Sequence, residues 1–451
     1  MKHPRFLIAA PSSGSGKTTV TCGILQALVD RGMKVSSFKC GPDYIDPMFH
    51  SRVIGTESKN LDAFFCDNNL LRYLFARSAE ETDISVIEGV MGFYDGISIA
   101  SSEASSYDVA KIMKAPVILV VDCKGASVSC IPMIKGFVDY VGDNNIKGVI
   151  LNRMSKHVHD GLKTAIEEQT GIEVIGYIPK LDDIAVESRH LGLVMPDEIV
   201  MLKEKLSGLA EVLEETLNID RLIELAENVE DLEYDKPSFG KLDGTVRIGL
   251  ARDEAFCFTY EDNLSLLKDC GAEIVEFSPL NDEKLPDDIH GLIFSGGYPE
   301  LHGEKLGRNA SMLKDIKEKL DGGMPCLAES GGFMYLHEEL EGIDGKMYRM
   351  VGFVKGKCTH SGKLSRFGYV TLSPGENQML PQGSSIKGHE FHYWNTDNDG
   401  DGWQAERTSG RRYGCIHGSE SLMLGFPHVF YYSNPELPHS FLVACNRHAE
   451  K

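Results

Sequence analysis

The sequence predicts an α/β protein made of two doubly wound domains, and three observations support this. The chain has 451 residues, which is more than one hydrophobic core usually holds. Short runs of Val, Ile and Leu alternate with segments of helical apolar spacing, a pattern typical of a parallel sheet covered on both faces. This pattern is lost over 230–244 and resumes afterwards. We therefore expect a linker at 230–244, between an N-terminal domain over 1–229 and a C-terminal domain over 245–451.

The composition favours a globular protein and argues against a membrane-spanning, disulfide-rich or nucleic-acid-binding one. The hydrophobic share of 42% and the charged share of 25% are those of an ordinary globular chain. No apolar run reaches the length of a membrane span and the N-terminus lacks a signal-peptide pattern, so we expect a cytoplasmic protein. Eleven cysteines without Cys-x-x-Cys pairs predict reduced thiols and no zinc or disulfide framework. A net charge of −21 argues against a nucleic-acid surface, and an anionic substrate would need a local basic cluster.

The first predicted strand, 5–9, leads into a loop rich in Gly and Ser and then into a helix. A strand, a glycine-rich loop and a helix in this order present backbone N–H groups at the helix N-terminus, which binds anions. We expect Lys17 to reach the outer phosphates of a nucleotide and the Thr18 hydroxyl to bind Mg²⁺. Pro11 stands where the motif usually has its first Gly, but the flanking elements are in register.

A further candidate for nucleotide binding is Asn152, which ends the predicted strand over 147–153. A side-chain amide at that level could read the adenine ring, although a plain loop residue would look the same. The predicted nucleotide-binding residues are Gly14, Ser15, Gly16, Lys17, Thr18, Thr19 and Asn152.

Acidic residues end or follow the next two predicted strands, 34–39 and 83–87. Glu88 closes the second of these and is followed by glycines, while Asp43 and Asp46 lie in a turn-rich loop after the first. The carboxyl end of a buried strand is where phosphate-loop enzymes hold their metal. We predict that Thr18, Asp43 and Glu88 bind Mg²⁺. On spacing alone, the two aspartates could equally cap turns.

Basic and polar residues in the loops that follow these strands predict a site for an anionic substrate. An arginine offers a planar fork to a carboxylate, although a lone basic residue usually only faces solvent. The predicted substrate-binding residues are Lys39, Tyr44, Asp46, Arg189 and His190.

The second half repeats the strand-and-helix pattern, with predicted strands at 245–251, 273–277, 291–294 and 324–328. The last of these leads into Glu-Ser-Gly-Gly over 329–332. A strand, a sharp turn and a helix expose the side chain of the turn residue, Ser330, and point backbone N–H groups at an oxyanion.

These stretches together resemble the cobyrinate a,c-diamide synthases, which are ATP-dependent amidases of cobalamin biosynthesis. The resemblance covers nearly the whole chain and rests on the motifs at 14–18, 39–47, 60–62, 88–96, 188–193, 295–300 and 388–393. It implies a synthetase domain similar to dethiobiotin synthetase and a glutaminase domain of the triad amidotransferase type. ATP and Mg²⁺ would be the cofactors, glutamine or ammonia the nitrogen source, and an acyl phosphate the intermediate.

The resemblance also implies the substrate, a tetrapyrrole polycarboxylate amidated on its a and c acetate side chains. Neither nucleic acid nor a membrane is an expected partner, and a homodimer stays open. The nickel-sirohydrochlorin a,c-diamide synthases share these motifs, so the tetrapyrrole stays open too. The remaining alternative is a nucleotide-switch ATPase without amidase activity, against which the glutaminase-like second half argues.

One departure from the family concerns the glutaminase. The family has a cysteine nucleophile within Ala-Glu-Cys-Gly-Gly, and this chain has Ser330. A thiol is partly ionised at neutral pH, whereas a serine hydroxyl must lose its proton during attack. His428 matches the family's catalytic base, but position 430, where many triad enzymes have the Glu that orients this His, is Phe430. The third triad member is therefore unidentified.

Three interpretations of Ser330 follow: use of free ammonia, a natural serine glutaminase, or an active-site mutant. We expect a weak or absent glutaminase, with Ser330 and His428 as the candidate catalytic residues.

Overall fold

A computed structural model describes residues 2–181 and 196–450. The chain forms two compact units, Met1–Pro237 and Ser238–Lys451. Each has a mainly parallel central sheet with helices packed against it, so the prediction of two α/β domains is confirmed.

The first unit is built on a seven-stranded sheet within its described residues. Its strands are β1 (Arg5–Ala9), β2 (Val35–Cys40), β3 (Glu57–Leu61), β4 (Ile84–Glu88), β5 (Val117–Asp122), β6 (Ile146–Asn152) and β7 (Glu173–Ile178). They lie in the order β3-β2-β4-β1-β5-β6-β7, and every neighbouring pair is parallel. The carboxyl ends of β1, β2 and β4 therefore meet at one edge of the sheet, where ligands bind in open α/β folds.

Helices cover this sheet and close its core. They are α1 (Lys17–Asp30), α2 (Ile45–Phe49), α3 (Asn68–Ala79), α4 (Ser106–Ile112), α5 (Cys130–Tyr140), α6 (Lys156–Thr170), α7 (Pro196–Thr216) and α8 (Ile219–Glu227). A π-helical turn, His50–Ile54, follows α2 directly. Helices α1 and α7 pack closely at Gly23, where an added Cβ would lie 2.5 Å from Leu213 Cδ1.

The second unit has a six-stranded sheet and two smaller sheets in its described residues. The six-stranded sheet contains β8 (Val246–Ala251), β9 (Ala272–Phe277), β10 (Gly291–Phe294), β11 (Cys326–Glu329), β20 (His417–Gly418) and β21 (Leu422–Gly425). The order is β20-β21-β11-β10-β8-β9, parallel except for the β20–β21 pair at the edge. Its helices are α9 (Glu261–Asp269), α10 (Gly303–Arg308), α11 (Ala310–Asp321), α12 (Gly331–Tyr335) and α13 (Glu436–Ala449).

The two smaller sheets were not predicted from the sequence. One contains β12 (His337–Glu341), β13 (Met347–Arg349), β14 (Val354–His360) and β17 (Trp394–Thr396). The other contains β15 (Arg366–Pro374), β16 (Ile386–His392), β18 (Trp403–Arg407), β19 (Arg412–Cys415) and β22 (His428–Val429), and it is antiparallel throughout. Strand β22 brings His428 beside β16 in this second sheet.

The segment over 230–244 has neither helix nor strand, yet its two ends are attached to different units. On the first unit, the Arg5 guanidinium donates to the Glu230 carbonyl at 2.9 Å and Leu232 is buried. On the second unit, the Phe239 ring contacts Tyr432, and the Leu242 N–H donates to Cys270. The stretch without such attachments is therefore only a few residues long.

None of the helices in the described ranges, 2–181 and 196–450, combines the length and hydropathy that a membrane crossing would require.

Candidate active sites

The loop over 10–16 of the first unit begins α1 with a backbone suited to an anion. Gly16 caps the helix at φ 91°, a left-handed conformation that a side chain would disfavour. An added Cβ at Gly16 would also overlap the Asn152 amide. The first turn of α1 holds no acidic residue, so its free N–H groups and the helix dipole both favour a phosphate. The residues present fit a nucleotide.

Lys17 lies at this helix start with its ammonium turned inward. Its Nζ donates to the Met91 carbonyl at 2.5 Å and to the Ser12 carbonyl at 3.3 Å. Burial lowers the pKa of Lys17 to about 8, and the neighbouring Lys39 charge acts in the same direction. A bound phosphate would give the Lys17 ammonium a fully charged partner in place of the carbonyl groups of Ser12 and Met91.

Thr18, Lys39, Asp46 and Glu88 meet behind the loop in one buried cluster. The Thr18 hydroxyl donates to Glu88 Oε1 at 2.7 Å. The Lys39 ammonium contacts the same oxygen at 2.8 Å and Asp46 Oδ2 at 2.6 Å. Strand register explains the meeting, because Lys39 on β2 is directly paired with Glu88 on β4.

The electrostatics of this cluster reflect burial. Burial raises the pKa of Glu88 to about 7, even though Lys39 acts in the opposite direction. Burial also disfavours the charge on Lys39, but Glu88 and Asp46 outweigh it and keep the pKa of Lys39 well above its usual range. Glu88 Oε2 is buried and accepts no hydrogen bond from any described residue. Hard oxygen donors with a spare carboxylate oxygen fit Mg²⁺.

The two aspartates of the loop over 40–47 differ in their surroundings. Asp43 Oδ1 accepts the backbone N–H groups of Ile45 and Asp46, at 2.8 and 3.1 Å, and so caps the first turn of α2. Asp46 contacts Lys39, and the Thr18 hydroxyl also acts on its carboxylate. The structure thus brings Asp46 rather than Asp43 to Thr18 and Glu88, the reverse of the pairing that the sequence suggested. Tyr44, between them, is buried.

His50 is a member of this cluster that sequence reasoning missed. Its ring is fully buried, with Nε2 3.6 Å from Glu88 Oε2. Burial lowers the pKa of His50 to about 4, so the imidazole is neutral at pH 7. The signal that could have found it is its position one turn after Asp46, at the i+4 spacing that aligns side chains on a helix.

Asn152 serves the phosphate loop in this structure. Its side-chain Nδ2 donates to the Ser15 carbonyl at 2.8 Å, and its Oδ1 accepts the N–H of Arg153 at 2.9 Å. Both ends of the amide are therefore used to hold the backbone, which the sequence did not indicate.

The remaining predicted residues of the first unit are less informative. Gly14 is exposed at φ 78° and Thr19 is half-buried on α1, while Ser15 Oγ donates to the Ser12 carbonyl at 3.0 Å. Arg189 and His190 lie outside the described residues.

Ser330 stands on a sharp turn between β11 and α12 in the second unit. Its backbone is at φ 48° and ψ −109°, and its N–H donates to the Gly425 carbonyl at 2.8 Å. A non-glycine residue at positive φ is strained and is a recurrent feature of functional sites. Gly331 next to it packs so closely that an added Cβ would lie 3.0 Å from the Gly297 backbone nitrogen. The turn therefore has the expected form of a nucleophile elbow.

His428 lies beside this elbow. Its Nδ1 is 3.4 Å from Oε2 of Glu329, the residue just before Ser330. Its ring stacks on His389 with centroids 5.0 Å apart, and Gly296 packs against its edge, where a side chain would overlap it. A carboxylate therefore does stand next to the candidate base, although position 430 is Phe.

The comparisons with known proteins agree with this arrangement. A family model described as CobQ/CobB/MinD/ParA nucleotide binding domain matches residues 6–194. A second, described as CobB/CobQ-like glutamine amidotransferase domain, matches residues 247–433. Each candidate site thus lies in the half of the chain that such a domain would occupy.

Full-length relatives are similar along both halves. The cobyrinate a,c-diamide synthase of Clostridium acetobutylicum is 42% identical over 95% of this chain and 97% of that protein. The protein of the same name from Priestia megaterium is 37% identical over 99% and 98%, and that of Thermoplasma volcanium is 39% identical over 100% and 99%. Because relatives this similar span both chains almost completely, the chain belongs to the cobyrinate a,c-diamide synthase family.

Proposed function

We propose that this enzyme uses ATP to amidate the a and c acetate carboxylates of cobyrinate, a step of cobalamin biosynthesis. The observation that carries the proposal is the start of α1, where Lys17 begins the helix and the Thr18 hydroxyl donates to Glu88. It stands in a chain whose full-length relatives carry that name. Such an arrangement supports phosphoryl transfer. The glutaminase-like second unit would provide the ammonia that reacts with the phosphorylated carboxylate.

The first unit would hold the nucleotide and the metal. Phosphates would lie on the N–H groups that begin α1, with Lys17 neutralising the transferred group. Thr18, Glu88 and Asp46 would hold Mg²⁺, with Asp43 supporting the turn that carries Asp46. When bound, Mg²⁺ neutralises charge on the phosphates and orients them.

The chemistry follows from bringing a carboxylate to this edge of the sheet. A substrate carboxylate oxygen attacks the γ-phosphorus of ATP, ADP leaves, and an acyl phosphate forms. Ammonia then attacks the acyl carbon and phosphate leaves, which yields the amide. Lys39, Tyr44, Arg189 and His190 are the residues we propose for holding the substrate, and Lys39 would share its charge between that carboxylate and Glu88.

The second unit would supply the ammonia from glutamine. Ser330 would attack the glutamine amide carbon, with His428 taking the hydroxyl proton and passing it to the leaving ammonia. Water would then hydrolyse the glutamyl ester on Ser330, which releases glutamate and restores the hydroxyl. A hydroxyl is a weaker nucleophile than a thiolate, so we propose that free ammonia is the better nitrogen source for this chain.

We also infer a reducing, cytoplasmic location. All eleven cysteines are thiols and all are buried, as expected for a chain that folds where thiols stay reduced.

The test is mass spectrometry of cobyrinate incubated with the full-length protein, ATP, Mg²⁺ and either ammonium or glutamine. Two successive amidations are expected with ammonium. Lys17→Ala should abolish both, while Lys34→Ala, which removes an exposed lysine of the same unit, should abolish neither. Amidation of nickel-sirohydrochlorin but not of cobyrinate would overturn the assigned substrate, and ATP turnover without any amidation would overturn the reaction.

A further inference from the structure

The structure assigns Glu329 as the residue that positions His428 in the second unit. This inference rests on the glutaminase role proposed above. The two side chains lie within ion-pair distance, with Glu329 Oε2 3.4 Å from His428 Nδ1. Catalytic contacts are often this long before substrate binds. In a Ser-His-acid arrangement the carboxylate accepts the Nδ1 proton and leaves Nε2 free to act as base.

The backbone holds Glu329 in place for this role. Glu329 is the last residue of β11 and is paired with Gly425 on β21. Its Oε1 accepts the backbone N–H of Val429 at 3.3 Å, so the carboxylate reaches both the side chain of residue 428 and the amide of the next residue. Glu329 also lines a small, partly open cavity together with Tyr260 and Ser295.

The usual place for this carboxylate is blocked. Phe430 donates its backbone N–H to the Lys387 carbonyl at 3.0 Å, and its buried ring packs against Tyr260 at 5.4 Å. His389 also faces the His428 ring, and burial and His428 itself keep it neutral by lowering its pKa well below the usual range. Glu329 thus places a carboxylate within reach of Nδ1 of this ring, beside a neutral imidazole.

A merely structural role for Glu329 predicts something different from a positioning role. If the carboxylate only anchors Val429, a glutamine at 329 can still accept that N–H and should leave catalysis intact. If it orients His428, glutamine can present its amide nitrogen to Nδ1 and favour the wrong tautomer, even though the fold is kept.

The experiment therefore compares Glu329→Gln with Glu341→Gln. The control residue is a glutamate of the same unit that also accepts a backbone N–H, from His360 at 2.9 Å. The first readout is the ¹⁵N spectrum of the His428 ring in the full-length Ser330 protein. We expect the Nδ1–H tautomer in the parent and in Glu341→Gln, and its loss in Glu329→Gln. An unchanged tautomer would overturn the inference whatever the activity.

The second readout is kinetic and uses the Ser330→Cys background, in which glutamine hydrolysis is expected to be stronger. Glu329→Gln should lower kcat for glutamine hydrolysis by about 10²-fold, with KM little changed and ammonium-dependent amidation unaffected. Glu329→Asp, which keeps the charge, should retain an intermediate rate.

The outcomes separate this inference from the proposed function. A Glu329→Gln protein that hydrolyses glutamine like its parent would contradict the positioning role and leave the amidase reaction standing. Absence of amidation with either nitrogen source in the parent would contradict the proposed function, and the tautomer result would still decide the role of Glu329.

Discussion

Lys39 is a buried cation whose charge is balanced by its neighbours. It contacts Glu88 and Asp46 at 2.8 and 2.6 Å, and all three side chains are nearly inaccessible to solvent. Removing one partner of a buried pair leaves an uncompensated charge and typically costs about 3–5 kcal/mol. Changes at this cluster will therefore alter stability as well as catalysis, and tests of its role need conservative substitutions.

Conservative substitutions of Asp43 and Asp46 test which of these two aspartates binds Mg²⁺. We expect Asp46→Asn and Glu88→Gln each to raise the Mg²⁺ concentration for half-maximal ammonium-dependent amidation by about tenfold, because each removes a hard anionic ligand. Asp43→Asn should raise it less, since Asp43 mainly caps α2. The measurement is a Mg²⁺ titration of the initial rate.

Asp67→Asn is the matched control for this titration, because Asp67 caps α3 in the same way through the Leu70 N–H. A larger effect of Asp43→Asn than of Asp46→Asn would restore Asp43 as the metal ligand.

The sequence predicted several of these residues because their chemistry is tied to a strand end. Thr18 and Glu88 follow from the phosphate-loop pattern and from an acidic residue after a buried apolar run. The choice between Asp43 and Asp46 could not be predicted, since it depends on how the loop turns into α2. His50 was missed because its i+4 spacing from Asp46 becomes informative only once 45–54 is known to be helical.

At the scale of elements, the phosphate loop is held by a residue of β6, which lies two strands away from β1 in the sheet. Asn152, at the end of β6, donates to the Ser15 carbonyl, and the sheet order explains how a distant residue reaches the loop. The sequence showed the strand end but not the direction of the side chain.

We predict that Asn152→Ala weakens binding of ATP and GTP by similar factors of about three- to tenfold, the equivalent of one lost hydrogen bond of about 1 kcal/mol. Isothermal titration with both nucleotides checks this. If Asn152 instead reads the adenine ring, the variant will lose affinity for ATP alone.

The 3₁₀ turn Pro299–Leu301 adds a pH-dependent element to the second unit. Burial raises the pKa of Glu300 to about 7 from its ordinary 4.5, and its Oε2 has no hydrogen-bond partner among the described residues. The folded state thus favours the protonated acid. The protonated Glu300 side chain therefore contributes fully to the free energy of unfolding below about pH 4.5. This contribution is lost as the pH rises through about 7 and the side chain ionises.

We therefore expect Glu300→Gln to raise the Tm of the second unit at pH 8.5 and to have little effect at pH 4.5. The difference corresponds to roughly 3 kcal/mol, and calorimetry of the full-length protein at both pH values measures it. Glu339→Gln, at an exposed position of the same unit, should show no such pH dependence. Equal shifts at both pH values would contradict the assignment.

Elements without an apolar run were the hardest to predict. The edge strand β3 begins Glu-Ser-Lys and owes its conformation to pairing with β2. Strands β12 to β19 alternate polar and apolar residues only weakly, and some of their pairs, such as β14 with β17 and β15 with β18, join residues far apart in sequence. The parallel core strands, by contrast, are buried on both faces and have the continuous apolar composition that such burial requires.

At the scale of the whole molecule, two candidate sites on two units predict two separable activities. We expect ammonium to support amidation by the native protein and glutamine to be a poor donor. Ser330→Cys should increase glutamine-dependent amidation by at least about tenfold, because a thiol is partly ionised, and should leave the ammonium-dependent rate unchanged. Rates with both donors on both proteins provide the measurement.

Strong use of glutamine by the Ser330 protein, lost in Ser330→Ala, would contradict this expectation and identify a true serine glutaminase. In that case Glu329, whose Oε2 lies 3.4 Å from His428 Nδ1, would be the third member of a Ser-His-acid set.

The stretch of the segment over 230–244 that is attached to neither unit is short, and it marks where the chain could be divided. Residues up to Asp235 are attached to the first unit, where Asn69 exchanges two hydrogen bonds with Asp235, and residues from Phe239 onward are attached to the second. A break between Pro237 and Ser238 leaves all of these attachments, and both cores, within one fragment or the other. A gene split at that codon would thus encode two polypeptides, each of which keeps one compact unit and one of the two candidate sites.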